Sequence, residues 1–166
     1  MYGMSTYPNA LQSLRDIAVN KTSQAAQART FYQHWHRVGI RAADLDDQHH
    51  VNNTVFGVYC EEGRRMFLTP QRKQFRSEQL MLFVARLAMD FHREMNYPGE
   101  VEIGSTVTRV GNSSYTMTQG LFTADGCHAT AEVVMVVADH ETRRPKAIPT
   151  GLRDYLTQQL SPALRE

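Results

Sequence analysis

Cysteine is scarce. Cys60 and Cys127 are the only two in 166 residues, both lie in apolar runs, and no Cys-x-x-Cys spacing occurs. That excludes a disulfide-stapled framework and fits a reduced, cytoplasmic protein with two buried thiols. Long apolar runs are missing as well: no stretch approaches the roughly eighteen consecutive apolar residues that would cross a bilayer. A predominant charge is absent too. The 18 Lys and Arg against 17 Asp and Glu leave +1, so no global field draws the chain to nucleic acid or to an anionic membrane. The first residues lack a basic region followed by an apolar core, so no signal peptide is expected. No internal repeat or low-complexity segment calls for a solenoid or a linker.

What is present is a globular composition, 42% hydrophobic, at a length that fits one domain with a real core. Residues 1 to 8 read as a disordered lead. Residues 9 to 29 are helix-compatible, with Leu11, Leu14, Ile17 and Ala18 in a short stripe. The stretch 31 to 44, "FYQHWHRVGIRAAD", reads as a strand with His34, His36, Val38 and Ile40 on one face. From Thr54 to about Thr69 the spacing turns helical, and Val55, Phe56, Tyr59, Cys60, Gly63, Met66 and Phe67 share one side. Gly63 lies within that side, where a missing side chain permits close approach to a sheet, and Pro70 supplies a stop. A basic loop follows. Then "LMLFVARLAMDFH" reads as a long strand, with Phe83, Ala85, Leu87, Met89 and Phe91 on its core face. Three more strands are separated by the turns "NYPGE", "GNSS" and "ADG", and "PTGLRDYLTQQL" reads as a terminal helix with Pro149 and Thr150 at its start.

The order is strand, helix, then four strands in meander. The predicted fold class is α+β: a five-stranded antiparallel sheet wrapped around one long helix, with extra N- and C-terminal helices. The predicted divisions are an N-terminal extension over 1–30, a main domain over 31–150 and a C-terminal helix over 151–166.

Chemistry concentrates in residues 44 to 53, which hold three carboxylates, two histidines and two asparagines just ahead of the long helix. A helix start leaves unpaired N–H groups and a partial positive charge. Asn52 or Asn53 is a natural N-cap. A substrate carbonyl aimed at those amides is polarised, and a loop carboxylate upstream can attack it or activate water beside it. Asp44, Asp46, His50, Val51, Asn52 and Asn53, followed by Phe56, Tyr59, Glu61, Glu62 and Arg64, resemble the pattern Asp-x-Asp-x-x-Gly-His-Val-Asn-Asn and its Glu-Glu-Ala-Arg helix. That pattern belongs to the 4-hydroxybenzoyl-CoA thioesterase-like acyl-CoA thioesterases of the hotdog fold. The resemblance covers roughly residues 32 to 150, and "GNSSYTMTQGLF" and "ATAEVVMVVAD" look like the family's last strands.

The resemblance implies thioester hydrolysis of an acyl-CoA by a homodimer or homotetramer, with no cofactor and no metal. It places the catalytic carboxylate on Asp46, a structural role on Asp44 and the polarising amide near Asn53. His50, Val51, Asn52, Phe56 and Tyr59 become the substrate-side residues. Glu62, at the edge of the apolar sector, is a possible second carboxylate, or the partner of a nearby arginine. Two departures stand out: His49 replaces the motif glycine, and Gly63 replaces the alanine. Histidine tolerates the left-handed backbone better than most residues, so the turn is expected to survive, with the His49 side chain toward either the substrate channel or solvent. His34, His36, His49 and His50 have no metal-ligand spacing.

Arg64, Arg65, Arg72, Lys73 and Arg76 form a basic run that is a solvated loop or a contact for coenzyme A phosphates, with Arg109, Arg143, Arg144 and Lys146 as competitors. Alternative activities are hydrolysis of acyl groups on acyl carrier protein, and non-catalytic binding of an acyl thioester.

Overall fold

The computed structural model describes residues 24–164. Most of the helix expected over 9–29, and the lead before it, lie outside the described residues. Strands β1 (His34–Gly39), β2 (Leu80–Phe91), β3 (Glu100–Val110), β4 (Ser114–Thr123) and β5 (Gly126–Asp139) form one antiparallel sheet in the order β1-β3-β4-β5-β2. Helix α1 (Asn53–Phe67) packs on one face. The short α2 (Arg72–Ser77) precedes β2, and α3 (Thr150–Gln158) follows β5. This is the hotdog arrangement that the residue pattern implied.

Three details depart from the sequence reading. First, β1 is shorter than expected. Residues 29–31 form a 3-10 turn, and the strand stops at Gly39, because Ala42–Asp44 closes into a second 3-10 turn around the Asp44 side chain. Second, only β3, β4 and β5 form a meander. β2 lies on the far edge beside β5, since α1 must be followed by a strand that runs back along it before the chain crosses over. Third, the expected basic loop contains α2.

The faces of β2 also differ from strict alternation. Its register against β5 slips between Val84 and Arg86, so Ala85 is an extra residue in a bulge. Before the bulge, Leu80, Leu82 and Val84 pair with Asp139, Val137 and Met135; after it, Leu87, Met89 and Phe91 pair with Val133, Ala131 and Ala129. Val137, Met135, Val133, Ala131 and Ala129 are buried against the helix layer. Phe83, expected toward the core, therefore pairs with Val136 on the outer face and is exposed.

The core has two parts. One gathers Phe56, Tyr59 and Cys60 of α1 with Val101, Ile103 and Leu121. The other gathers Phe67, Met117, Val133 and Val137 with Leu152 and Leu156 of α3. A polar seam lies between them. Arg64 donates to Gln119 Oε1 (3.0 Å), and Gln119 Nε2 donates to the Cys60 carbonyl (2.9 Å) and to Ser105 Oγ (3.1 Å). Gly63 lets α1 come down onto this seam: a Cβ there would stand 2.5 Å from Ile103 Cγ2. On the outer face Gly104 pairs with Gly120, and the notch they leave takes the Tyr32 ring, with Phe31, Trp35 and Phe122 around it.

Candidate active site

The loop ahead of α1 is organised by two aspartates with different tasks. Asp44 is 1% exposed. Its carboxylate accepts from the Arg41 backbone N–H (2.8 Å), from Arg41 Nη2 (2.6 Å) and from the Tyr59 hydroxyl (2.8 Å). The Arg41 hydrogen bonds hold its pKa below the ordinary value, against the opposing effect of burial. Burial and the neighbouring Asp44 push the Tyr59 phenol upward, so it stays a donor. Asp44 is thus the buried knot of the loop, and Tyr59 is committed to it.

Asp46 is half-buried. Its Oδ1 accepts from the Gln48 N–H (2.9 Å) and the His50 N–H (3.2 Å), an Asx-type turn that fixes the carboxylate. Oδ2 has no partner among the described residues, so one oxygen is anchored and the other is available. His49 closes the turn with φ +64° and an exposed side chain. Nearby, the Val51 N–H donates to the Met95 carbonyl (2.8 Å) and His50 Nε2 lies 3.2 Å from Glu94. The loop is therefore clamped to the segment that leaves β2.

Asn52 is the N-cap of α1. Its side-chain oxygen accepts from the Thr54 N–H (2.9 Å), and its carbonyl accepts from the Val55 N–H (2.9 Å). That leaves the Asn53 N–H without a hydrogen bond among the described residues, at the positive end of a fifteen-residue helix. Val51, Phe56 and Tyr59 are buried, and the Phe56 ring packs edge-on against Phe91 of β2 at 5.3 Å.

The structure does not bring Glu62 to this centre. At about 1.5 Å per residue it lies roughly 14 Å along α1 from Asn53. Its carboxylate contacts Arg65 (3.3 Å) and His36 (3.8 Å). The thiols are removed from the chemistry as well: burial pushes Cys60 up to about 12 and Cys127 to about 11, so neither is a thiolate near neutrality. Among the described residues no group of three or more His, Cys, Asp or Glu is placed to hold a metal ion.

Sequence reasoning counted Arg64 among the surface cations, but it is 8% exposed and joined to Gln119. Gln119 itself gave no signal. Its neighbours read as a plain strand, and only the three-dimensional register sets it opposite α1. A cleft of about 950 Å³ opens near the β2 exit, lined by Arg37, Arg93, Glu94, Glu102 and His128 among others, and neither Asp46 nor Asn53 borders it.

Comparison with known proteins adds three findings. The model of the thioesterase-like superfamily matches residues 40–156, most of the chain. No curated protein matches. Among solved structures, the PA5185 protein of Pseudomonas aeruginosa is 27% identical, covers 81% of this chain and 96% of its own, and superposes with a TM-score of 0.74. YbaW, a probable thioesterase of Escherichia coli, is 21% identical over 78% of this chain and 100% of its own, with a TM-score of 0.70. The SAV2348 protein of Staphylococcus aureus, solved in complex with CoA, is 16% identical over 78% and 85%, with a TM-score of 0.71. At those identities the last two likenesses establish the fold.

Proposed function

The chain belongs to the thioesterase-like superfamily, and from that premise we propose that it hydrolyses an acyl-CoA to the free acid and coenzyme A. The observation that carries the reading is the half-anchored Asp46 carboxylate, held by two amides through one oxygen, on the loop that leads into the Asn53 N–H; among the described residues neither its other oxygen nor that N–H has a hydrogen-bond partner. The thioester carbonyl oxygen would lie against that amide, where the helix end stabilises developing negative charge. Asp46 then either attacks the carbonyl carbon, giving a mixed anhydride that water opens, or draws a proton from a water that attacks directly. In both routes the coenzyme A thiolate departs and the acyl group leaves as a carboxylate. No cofactor or metal is required by this chemistry. The acyl tail would run along Phe91, which is 52% exposed beside Phe56.

The working form would be a homo-oligomer, because β2 leaves an apolar edge uncovered among the described residues. A thiol-release screen tests the activity, using short, medium, long and aromatic acyl-CoAs beside the same acyl groups on acyl carrier protein. Release of coenzyme A from at least one class, abolished by Asp46→Asn, is the expected result. Release only from acyl carrier protein would move the reading to that substrate. Acyl-CoA binding without any thiol release would make the protein a binder.

A further inference from the structure

Arg64 is a buried charge without a counter-charge. It is 8% exposed, and burial holds its pKa below the ordinary value. Among the described residues it makes no ion pair, and of its N–H groups Nη1 alone has a partner, the Gln119 Oε1. Gln119 gives it an amide oxygen and no charge. Glu61, one turn back on α1, acts on it through space but is exposed and does not pair with it. Glu62 is held by Arg65. A guanidinium taken out of water is costly unless an anion joins it.

A second donor nearby is also left over. Tyr115 is 1% exposed, and its hydroxyl is sealed from solvent with no partner among the described residues. The Arg64 charge acts on that phenol. Gln119 Nε2 is committed to the Cys60 carbonyl and Ser105 Oγ. Two donors, one of them charged, thus lack an acceptor in the same part of the interior. The acceptor that fits both is an anion from outside the chain.

The register shows how one would enter. Arg64 Nε and Nη2 are not among the sealed, unpartnered atoms, so they border accessible space. The helix-side row of the sheet through Leu121 and Ala129 ends at Phe91, beside the candidate site. The next row, through Gln119 and Ala131, ends at Met89, and the row through Tyr115 ends at Val84. Phe91 and Val84 are 52% and 48% exposed, so within the chain this flank is open. On α1, Asn53, Gly57 and Arg64 share the side toward it. A Cβ on Gly57 would meet nothing within 4 Å. Arg64 lies roughly 16 Å along α1 from Asn53, and its side chain leans back by up to a turn, which leaves roughly 11–16 Å. At about 1.2 Å per bond, an extended chain of about nine to thirteen bonds spans that gap.

We propose that Arg64 and Tyr115 select acyl groups that end in a carboxylate, so that the substrate class is the mono-thioester of a dicarboxylic acid of about ten to twelve carbons. Both side chains donate to the distal carboxylate. A methyl end would leave the guanidinium buried and unpaired, and is discriminated against for that reason. That the anion arrives on a thioester rests on the hydrolase reading; the two unpaired donors do not.

Binding is read without chemistry, on S-alkyl coenzyme A thioethers, which hold no scissile bond. A matched pair of about ten to twelve carbons is used, one ending in carboxylate and one in methyl. Wild type is expected to bind the carboxylated member about tenfold tighter or more, from hydrogen bonds to a charged group. Equal, weaker or absent binding of that member overturns the proposal. Arg64→Gln is expected to bring the ratio to within about twofold of one, and Tyr115→Phe to lower it about threefold or more. Each variant is compared with itself across the pair, so a general loss of affinity cancels. Tyr115→Phe removes a hydroxyl without a partner in the free protein, so its urea midpoint is expected not to fall. It decides alone if Arg64→Gln does not fold. A ratio that either folded variant leaves at the wild-type value overturns the assignment.

Turnover of the matched thioesters separates this proposal from the hydrolase reading. The kcat/KM values are expected to favour the carboxylated chain in wild type and to lose that preference in the variants. If wild type releases no thiol while the thioethers behave as stated, the hydrolase reading fails and this proposal stands. If wild type hydrolyses both chains with equal kcat/KM, the proposal fails and the hydrolase reading stands.

Discussion

Asp44 and Asp46 are two residues apart and chemically unalike, and the difference is made by their partners. Asp46→Asn keeps an oxygen for the Gln48 and His50 amides, so the turn should hold while the charge is lost. The expected result is a fall in kcat of about a hundredfold or more with an unchanged urea midpoint; full turnover in a folded variant would remove Asp46 from the chemistry. Asp44 should act on stability. Its folded pKa lies below the ordinary 3.8 because Arg41 donates to it. Between those two values the unfolded chain binds the extra proton, so stability there rises with pH. The contribution is complete above the ordinary value and disappears as the pH falls through the lower folded one. Asp44→Asn is therefore expected to lower the urea midpoint at pH 7 and to flatten its decline below about pH 4; parallel acid limbs would contradict this. The placement of both aspartates on the loop ahead of α1, and the structural task of Asp44, were legible in the sequence through a motif. The Tyr59–Asp44 hydrogen bond was not, because periodicity reports which side of a helix a ring occupies and nothing about where its hydroxyl ends.

At the level of elements, α1 was legible nearly to the residue, because a cap, an apolar sector and a closing proline agree. β2 was legible as a strand and misread as to its faces. One extra residue, Ala85, leaves Leu87, Met89 and Phe91 on the expected face and inverts the assignments before it, and alternation alone carries no mark of a bulge. The separation of β2 from β3 was equally hidden, since strand order depends on which edges meet after the crossover. Gly63 tests how closely α1 must approach the sheet. Alanine there gains about 1 kcal/mol of helix propensity. It also pushes a Cβ to 2.5 Å from Ile103 Cγ2 and 3.0 Å from Gln119 Nε2. Ile103 is fully buried and paired in β3, so it has little room to yield. Overpacking of this kind costs about 1–3 kcal/mol, so Gly63→Ala is expected to be neutral to destabilising by about 2 kcal/mol in denaturant unfolding, despite the better helix former. A clear gain in stability would mean that the seam is slack. The C-terminal helix makes the complementary case: expected as an addition, α3 instead contributes Leu152 and Leu156, both fully buried, to the second half of the core. Leu156→Ala is expected to cost about 2–5 kcal/mol.

For the whole molecule, the two sheet edges are handled differently. At the β1 edge the strand is short, Arg37 pairs with Glu102 at 3.0 Å, and Val107 of β3 is met beyond β1 by residues 159–161, which exchange two backbone hydrogen bonds with it. That edge is blunted in the usual ways. The β2 edge is long and carries exposed Phe83, Val84, Leu87 and Phe91, which is the pattern of a surface meant to be covered. On the outer face, residues 31–35 already fill the notch at Gly104 and Gly120, so that half of the sheet is taken. Light scattering is therefore expected to give twice the 18.9 kDa of one chain. Val84→Lys isolates the cause. Position 84 is half exposed in the single copy, so the lysine can reach water and the fold should lose no more than about 0.5 kcal/mol. In a homo-oligomer that covers the β2 edge, a lysine at this position would lie within the interface, where a desolvated, unpaired charge is costly. The expected outcome is a folded monomer with reduced thioesterase activity, because the exposed Phe91 beside each site would lose the cover of the second copy. A Val84→Lys protein that remains dimeric would place the interface elsewhere, and a monomer that retains wild-type KM for acyl-CoA would show that one copy suffices.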